Sequence, residues 1–227
     1  MQPYLFPYIG YFQLIHATDR FVVLDDVNYI KKGWVNRNNI LERASAALFT
    51  VPLVGASQNR RINEIEISVT DKWQEKLLRR IHHAYGKAPH YEVVLPIIER
   101  VLVRTDLNLA AFNVAALREV MSYLELQTQI VESSVVDPGR ARAGQERLLH
   151  ICAELGAGRY INPIGGVELY DREIFAKRGV QLNFLRSHMP EYRQSVDKFV
   201  PGLSIIDVLM FNSIADIRQM LDRYDLI

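Results

Sequence analysis

With 227 residues, 49% of them apolar and 23% charged, the chain can bury a sizeable core and is expected to form one α/β domain over residues 1–227. Its 27 basic and 26 acidic side chains nearly cancel, which excludes an extended nucleic-acid surface and a general attraction to anionic membranes. Cys152 stands alone, so an intramolecular disulfide and a cysteine-rich zinc site are excluded as well. The lone cysteine suits a reducing compartment. No run nears the ~20 apolar residues of a membrane span and no secretion signal opens the chain, so a cytoplasmic protein with no membrane span is expected.

Met1–Pro3 offers the stub of a strand, Tyr8–Ala17 a short apolar helix and Arg20–Leu24 a β-branched strand. That order is a βαβ unit and implies a parallel sheet. Val27–Leu41 reads as a polar, aromatic and basic loop, and Leu48–Leu53 and Ile62–Ser68 as further strands. Asp71 with Gln74 has capping-box spacing, and Trp73, Leu77, Ile81 and Tyr85 then recur every four residues on a helix that Gly86 stops. Tyr91–Val103, which must accommodate Pro96, and Asn108–Leu124 complete a helical middle, residues 71–124. Thr128–Glu132, Arg159–Ile164 and Val180–Leu185 read as strands. Gly144–Leu155, Asp171–Arg178, Ser204–Asn212 and Ile214–Arg223 read as helices. The expected fold is α/β: a parallel or mixed Rossmann-like sheet flanked by helices, with the helical middle as a cap or insertion.

Four segments carry residue types suited to chemistry. Gln2 to Tyr11 passes from strand stub to helix start, the usual ligand rim of a parallel sheet. Gly10 there permits close backbone approach, and Gln2, Tyr8 and Tyr11 are candidate ligand contacts, whereas Phe6, Ile9, Phe12 and Leu14 are core. Asp25 to Asn38 follows the next strand. Asp26 is a candidate base, and Asp25 and Asp26 together have the charge to hold Mg²⁺ with a phosphate. Tyr29 and Trp34 suit stacking, Lys31 and Arg37 anion contacts, and Asn36 and Asn38 polar contacts. Tyr160 to Gly166 contributes Asn162, a candidate oxyanion donor, beside an anion-friendly Gly165-Gly166 turn. Tyr192 to Asn212 contributes Tyr192, Gln194 and Asp207, the last a carboxylate inside an apolar helix and a second candidate base. His82, His83 and His90 lack a metal spacing, and Cys152 sits among apolar neighbours as a packed thiol.

The Pro-Tyr-Ile-Gly-Tyr stretch is similar to the H-x-G-H segment of nucleotidyltransferases and class I synthetases, with Tyr8 and Tyr11 in the histidine places. A phenol stays neutral at pH 7, so this likeness bears on fold more than on adenylylation. A wider resemblance covers essentially the whole chain. Gln2 to Ile15, Asp25 to Asn38, Tyr160 to Gly166 and Leu203 to Asn212 resemble, in order, the motifs of the WbqC-like family. That resemblance implies a role in O-antigen or related polysaccharide assembly, with an acyl or aminoacyl (glycyl) transfer to an amino sugar as the implied activity. It also implies apolar residues ahead of Gln-Pro-Tyr as a first strand, so either a misassigned start or an abbreviated strand is expected at Met1. The substrate expected is a small molecule, a sugar nucleotide or aminoacyl donor; the cofactor is left open. Two other readings stand beside transfer: an ATP-dependent nucleotidyltransferase or ligase-like enzyme, and a non-catalytic sugar-nucleotide-binding subunit.

Overall fold

The computed structural model describes the chain from Met1 to Ile227 apart from Asp71, so the capping box expected there lies outside the described residues. The protein is a mixed α/β structure. Helix α1 (Ile9–His16) leads into β1 (Arg20–Val23), which pairs in parallel with β6 (Gln129–Glu132) far along the chain. Between them, β2 (Arg37–Glu42) and β3 (Ser45–Thr50) form a hairpin, and β4 (Leu53–Val54) pairs with β5 (Glu66–Ile67). Helices α2 (Trp73–Tyr85), α3 (Tyr91–Leu102) and α4 (Leu109–Tyr123) then make the helical middle. Trp73, Leu77, Ile81 and Tyr85 are all buried, so the four-residue recurrence does mark the packed face. Asn108 caps α4 by accepting from the Ala111 N–H at 3.1 Å.

After β6 come α5 (Ser133–Val136), α6 (Gly144–Glu154), β7 (Arg159–Pro163) and α7 (Arg172–Lys177). Strand β8 (Gln181–Ser187), α8 (Ile205–Phe211), α9 (Ile214–Leu221) and β9 (Tyr224–Leu226) complete the chain. Strand β8 pairs in parallel with β7 and antiparallel with β9.

Three local expectations change. The loop expected over Val27–Leu41 ends early, because Arg37, Asn38 and Asn39 already belong to β2. The hairpin turns at Arg43 and Ala44, with φ of 48° and 61°, the left-handed pair that a two-residue hairpin loop needs. Neither residue is Gly or Asn, so the turn was silent in the sequence. Ile62–Ser68 is a short 3₁₀ turn, Ile62–Glu64, followed by the two-residue β5 rather than one strand. Gly165-Gly166 lies inside a 3₁₀ segment, Ile164–Leu169, not in a tight turn.

The strands form separate small sheets: β1–β6, β2–β3, β4–β5 and β7–β8–β9. Two apolar clusters pack on opposite faces of β8, with Leu182 and Phe184 in one and Leu185 in the other. Helix α1 supplies Leu14 and Ile15 to the cluster that holds Leu185, and α6 supplies Leu148, Leu149 and Cys152 to the one that holds Leu182 and Phe184. A cavity of about 710 Å³ lies between Arg20 to Val22 of β1 and Arg159 to Asn162 of β7. No helix among the described residues is long and apolar enough to cross a membrane.

Candidate functional site

The N-terminal segment, Gln2 to Tyr8, is held by its own carbonyls. Tyr11 Oη donates to Gln2 O at 2.7 Å, and Asn113 Nδ2 to Pro3 O at 2.9 Å. Asn38 Nδ2 donates to Leu5 O at 2.9 Å and Phe6 O at 2.8 Å, and Ser204 Oγ donates to Phe6 O at 2.7 Å. Leu5 N reaches Trp34 O at 3.1 Å and Ile205 N reaches Pro7 O at 2.9 Å. Phe6 needs this support, because its φ of 41° costs a bulky residue about 1–3 kcal/mol unless its surroundings enforce it. Asn38 is therefore consumed by the fold. So is Tyr11, which is 2% exposed and packs on Tyr4, Phe12 and Phe21. Tyr8 behaves otherwise: it is 39% exposed, and its ring covers Gly10. A Cβ on Gly10 would come within 2.3 Å of that ring and 2.8 Å of Ser187 Oγ. With one phenol outside and one inside, Tyr8 and Tyr11 do not face a phosphate together as the H-x-G-H likeness would require.

In the second segment, Tyr29 Oη donates to Asn36 Oδ1 at 2.8 Å and Asn36 Nδ2 to Val51 O at 2.8 Å, so both are internal braces. Arg37 binds the carbonyls of Gly33 and Lys32, and its guanidinium lies 5.8 Å from the Trp34 ring centre. The loop tip leaves Lys31 and Trp34 exposed. At its root, Asp25 accepts from Ser134 Oγ at 2.6 Å, Ser134 N at 3.0 Å, Ser133 Oγ at 3.1 Å and Asn63 Nδ2 at 3.1 Å. Asp26 accepts from Ser133 Oγ at 2.6 Å and Arg147 Nη2 at 2.7 Å. Arg140 Nε lies 3.1 Å from the same Asp26 oxygen, an ion pair without hydrogen-bond alignment. Arg147 also reaches Asp137 at 2.9 Å. Burial alone would raise the Asp26 pKa, but the Arg147 and Ser133 hydrogen bonds and the two guanidinium charges hold it below its ordinary value. Both guanidinium groups and the Ser133 hydroxyl meet Asp26, the residue expected as a base, so its oxygens are engaged by the protein. The oxygens of Asp25 and Asp26 point at serines, asparagine and arginines, and no metal-ligating cluster of three such side chains occurs among the described residues.

Asp207 is fully buried. Tyr85 Oη donates to it at 3.0 Å, Tyr192 Oη at 2.7 Å and Gln194 Nε2 at 2.8 Å. Burial raises its pKa, which those three donors offset only in part. Both oxygens of Asp207, the second residue expected as a base, accept from protein donors, and Tyr192 and Gln194, expected as ligand contacts, are two of those donors.

Asn162 accepts from Tyr160 Oη at 3.2 Å and lies over Gly166, where a Cβ would sit 1.8 Å from its amide nitrogen. Gly166 is thus required for close approach, while Gly165 is open. Pro163 pairs with Leu185, so this turn stands at the C-terminal end of β7 and β8, near Ser187. Tyr8 and Gly10 meet the same Ser187. The loop tip joins them through the Trp34–Leu5 hydrogen bond. The first segment thus reaches Ser187 at the end of β8, the third follows the neighbouring end of β7, the second touches the first through the Trp34 carbonyl, and the fourth is an internal brace.

Sequence reasoning missed the partners of the two aspartates, Ser133, Ser134, Asp137, Arg140 and Arg147. It also missed His188, which follows β8 and pairs with Asp225 at 2.8 Å. Arg147 did carry a signal, lying among the buried positions of α6 beside Leu148 and Leu149.

The class this geometry defines is a mixed α/β protein with small parallel and antiparallel sheets. The chain belongs to the WbqC-like protein family, which matches residues 2–219. It is 30% identical over 209 residues to the uncharacterized protein Rv1507c of Mycobacterium tuberculosis, covering 91% of this chain and 89% of that one. No solved structure matches.

Proposed function

We propose that the protein is a transferase of cell-surface polysaccharide synthesis, passing an acyl or aminoacyl group to a nucleotide- or lipid-linked amino sugar. The observation that carries this reading is the division of labour within the family motifs. Their buried polar side chains brace the chain, whereas Tyr8, Lys31 and Trp34 are exposed to solvent. An aromatic face and a cation suit a sugar or base and an attached phosphate. His188, oriented by Asp225, takes the amine proton as the new N–C bond forms. Asn162 and the free N–H groups at the start of α1 stabilise the oxyanion. As the tetrahedral intermediate collapses, the bond between the acyl carbon and the donor's leaving atom breaks and the proton on His188 passes to that atom, so no covalent enzyme intermediate is needed.

The test is mass spectrometry of UDP-linked amino sugars incubated with the protein and acetyl-CoA or glycyl donors. A product heavier by the transferred group is expected. A protein that binds a sugar nucleotide yet changes none with any donor would refute the transferase reading.

A further inference from the structure

Helix α1 carries two side chains that reach the segment leading from α9 into β9. Gln13 and His16 lie one turn apart and so share a face. His16 Nε2 lies 3.0 Å from Asp222 Oδ1, a pair at the surface. Gln13 is fully buried, and its Nε2 faces three carbonyls: Met220 O at 2.8 Å, Arg223 O at 2.9 Å and His188 O at 3.3 Å. Its Oε1 meets no partner. A buried amide with an unmatched acceptor is a costly way to fill space, so the position is explained by what its N–H hydrogens hold.

Those carbonyls bracket the His188–Asp225 pair. His188 follows β8 directly, and Arg223 lies two residues before Asp225. His188 N also donates to Arg223 O, at 3.0 Å, so the two strand ends and the Gln13 amide meet at one oxygen. The His188–Asp225 contact, at 2.8 Å, joins side chains that are 54% and 57% exposed. A pair so open to water does not fix its own geometry; the backbone beneath it must. A carboxylate only accepts, so Nε2 of His188 carries the hydrogen and Nδ1 keeps the free lone pair. Gly10, at the start of α1 and one turn before Gln13, leaves room for Ser187 Oγ. Helix α1 therefore touches residues 187 and 188 in succession.

We propose that Gln13 is a positioning residue for the transfer. By holding the His188 and Arg223 carbonyls it keeps Nδ1 of His188 as the proton acceptor and sets it in register with the N–H groups at the start of α1. Its effect on rate rests on the transferase reading; its effect on the imidazole does not. Without the amide the β8–β9 end loses its buried anchor to α1, Asp225 no longer holds the Nε2 hydrogen, and that hydrogen is shared between both ring nitrogens.

The test compares wild type, Q13M and D225N by nitrogen NMR of the His188 ring, assigned with H188Q, and by kcat and KM of the acyl transfer. In wild type the Nε2–H tautomer should dominate, and in Q13M, as in D225N, the two tautomers should mix. The kcat of Q13M should fall roughly 10–100-fold with KM changed by no more than about twofold. Q13H, which keeps a ring N–H toward the carbonyls, should recover part of both. A Q13M ring that keeps the wild-type tautomer, whatever its Tm, would overturn the proposal and leave Gln13 a brace of the fold. A mixed tautomer in Q13M beside a wild type that transfers no group would support the positioning and refute the transferase reading. Should Q13M not fold, Q13N, whose amide ends one methylene short of the carbonyls, replaces it; unfolding of both would overturn the proposal.

Discussion

Two buried carboxylates in this molecule meet opposite fates. Asp26, at the end of β1, is 2% exposed and Asp207, in α8, is 0% exposed, so desolvation penalises both charges. Asp26 has two guanidinium groups and a hydroxyl, and its pKa falls; Asp207 has only neutral donors, two phenols and an amide, and its pKa rises. At Asp207 three neutral donors do not offset its desolvation, whereas at Asp26 the Arg147 and Ser133 hydrogen bonds and two guanidinium charges outweigh a smaller one. The difference also separates their work. The Asp26 cluster ties β1, β6 and α6 together through charge, whereas the Asp207 cluster fastens the Tyr192–Gln194 segment to α8 and α2 with no charge partner at all.

The comparison breaks most sharply at Arg147. R147M leaves Asp26 and Asp137 buried without their main cation and is expected to cost about 3–5 kcal/mol in urea unfolding. The double variant R147M/D26N should recover part of that loss, because the unpaired charge goes with its partner. At the other cluster Y192F removes one neutral donor, and about 1–3 kcal/mol is expected in the same measurement. If Y192F costs as much as R147M, the contrast between charged and neutral support is wrong.

The pH dependence sharpens the contrast by sign. Asp26 has its folded pKa lowered from 3.8, so its stabilisation is present above that value and is lost as pH falls through the folded pKa. Asp207 has its folded pKa raised from 3.8, so its contribution declines as pH rises from that value through the folded pKa. Urea titrations across the acid range should therefore show the stability gap between wild type and D26N widening with pH. The corresponding gap for D207N should narrow. The smallest effect is expected at the rim: W34A should shift stability by no more than about 0.5 kcal/mol, since the indole is 42% exposed, yet weaken sugar-nucleotide binding in calorimetry.

What was legible in the sequence follows from how far apart the interacting residues lie. Helices α2, α4 and α6 were readable because their apolar spacing repeats within a few residues. The β2–β3 hairpin was not, because its turn is Arg43-Ala44 and its first strand is polar. Strand β9 and helix α5 are too short to leave a pattern. The motif segments were visible as clusters of suitable side chains, but not their partners: Arg147 is 121 residues from Asp26 and Ser134 is 109 residues from Asp25. Burial reversed several expected roles, since Asn36, Asn38 and Asp207 are the residue types that either bind ligands or brace a fold. Only the carbonyls and hydroxyls they meet decide between the two.

The most direct measurement is turnover of the proposed acyl transfer by H188Q beside D26N, each normalised to folded protein. The expected outcome is a loss of roughly 10²–10⁴-fold for H188Q, with D26N retaining most of its rate once its stability loss is corrected. A D26N enzyme that is folded but inactive, beside an H188Q enzyme at wild-type rate, would contradict the account.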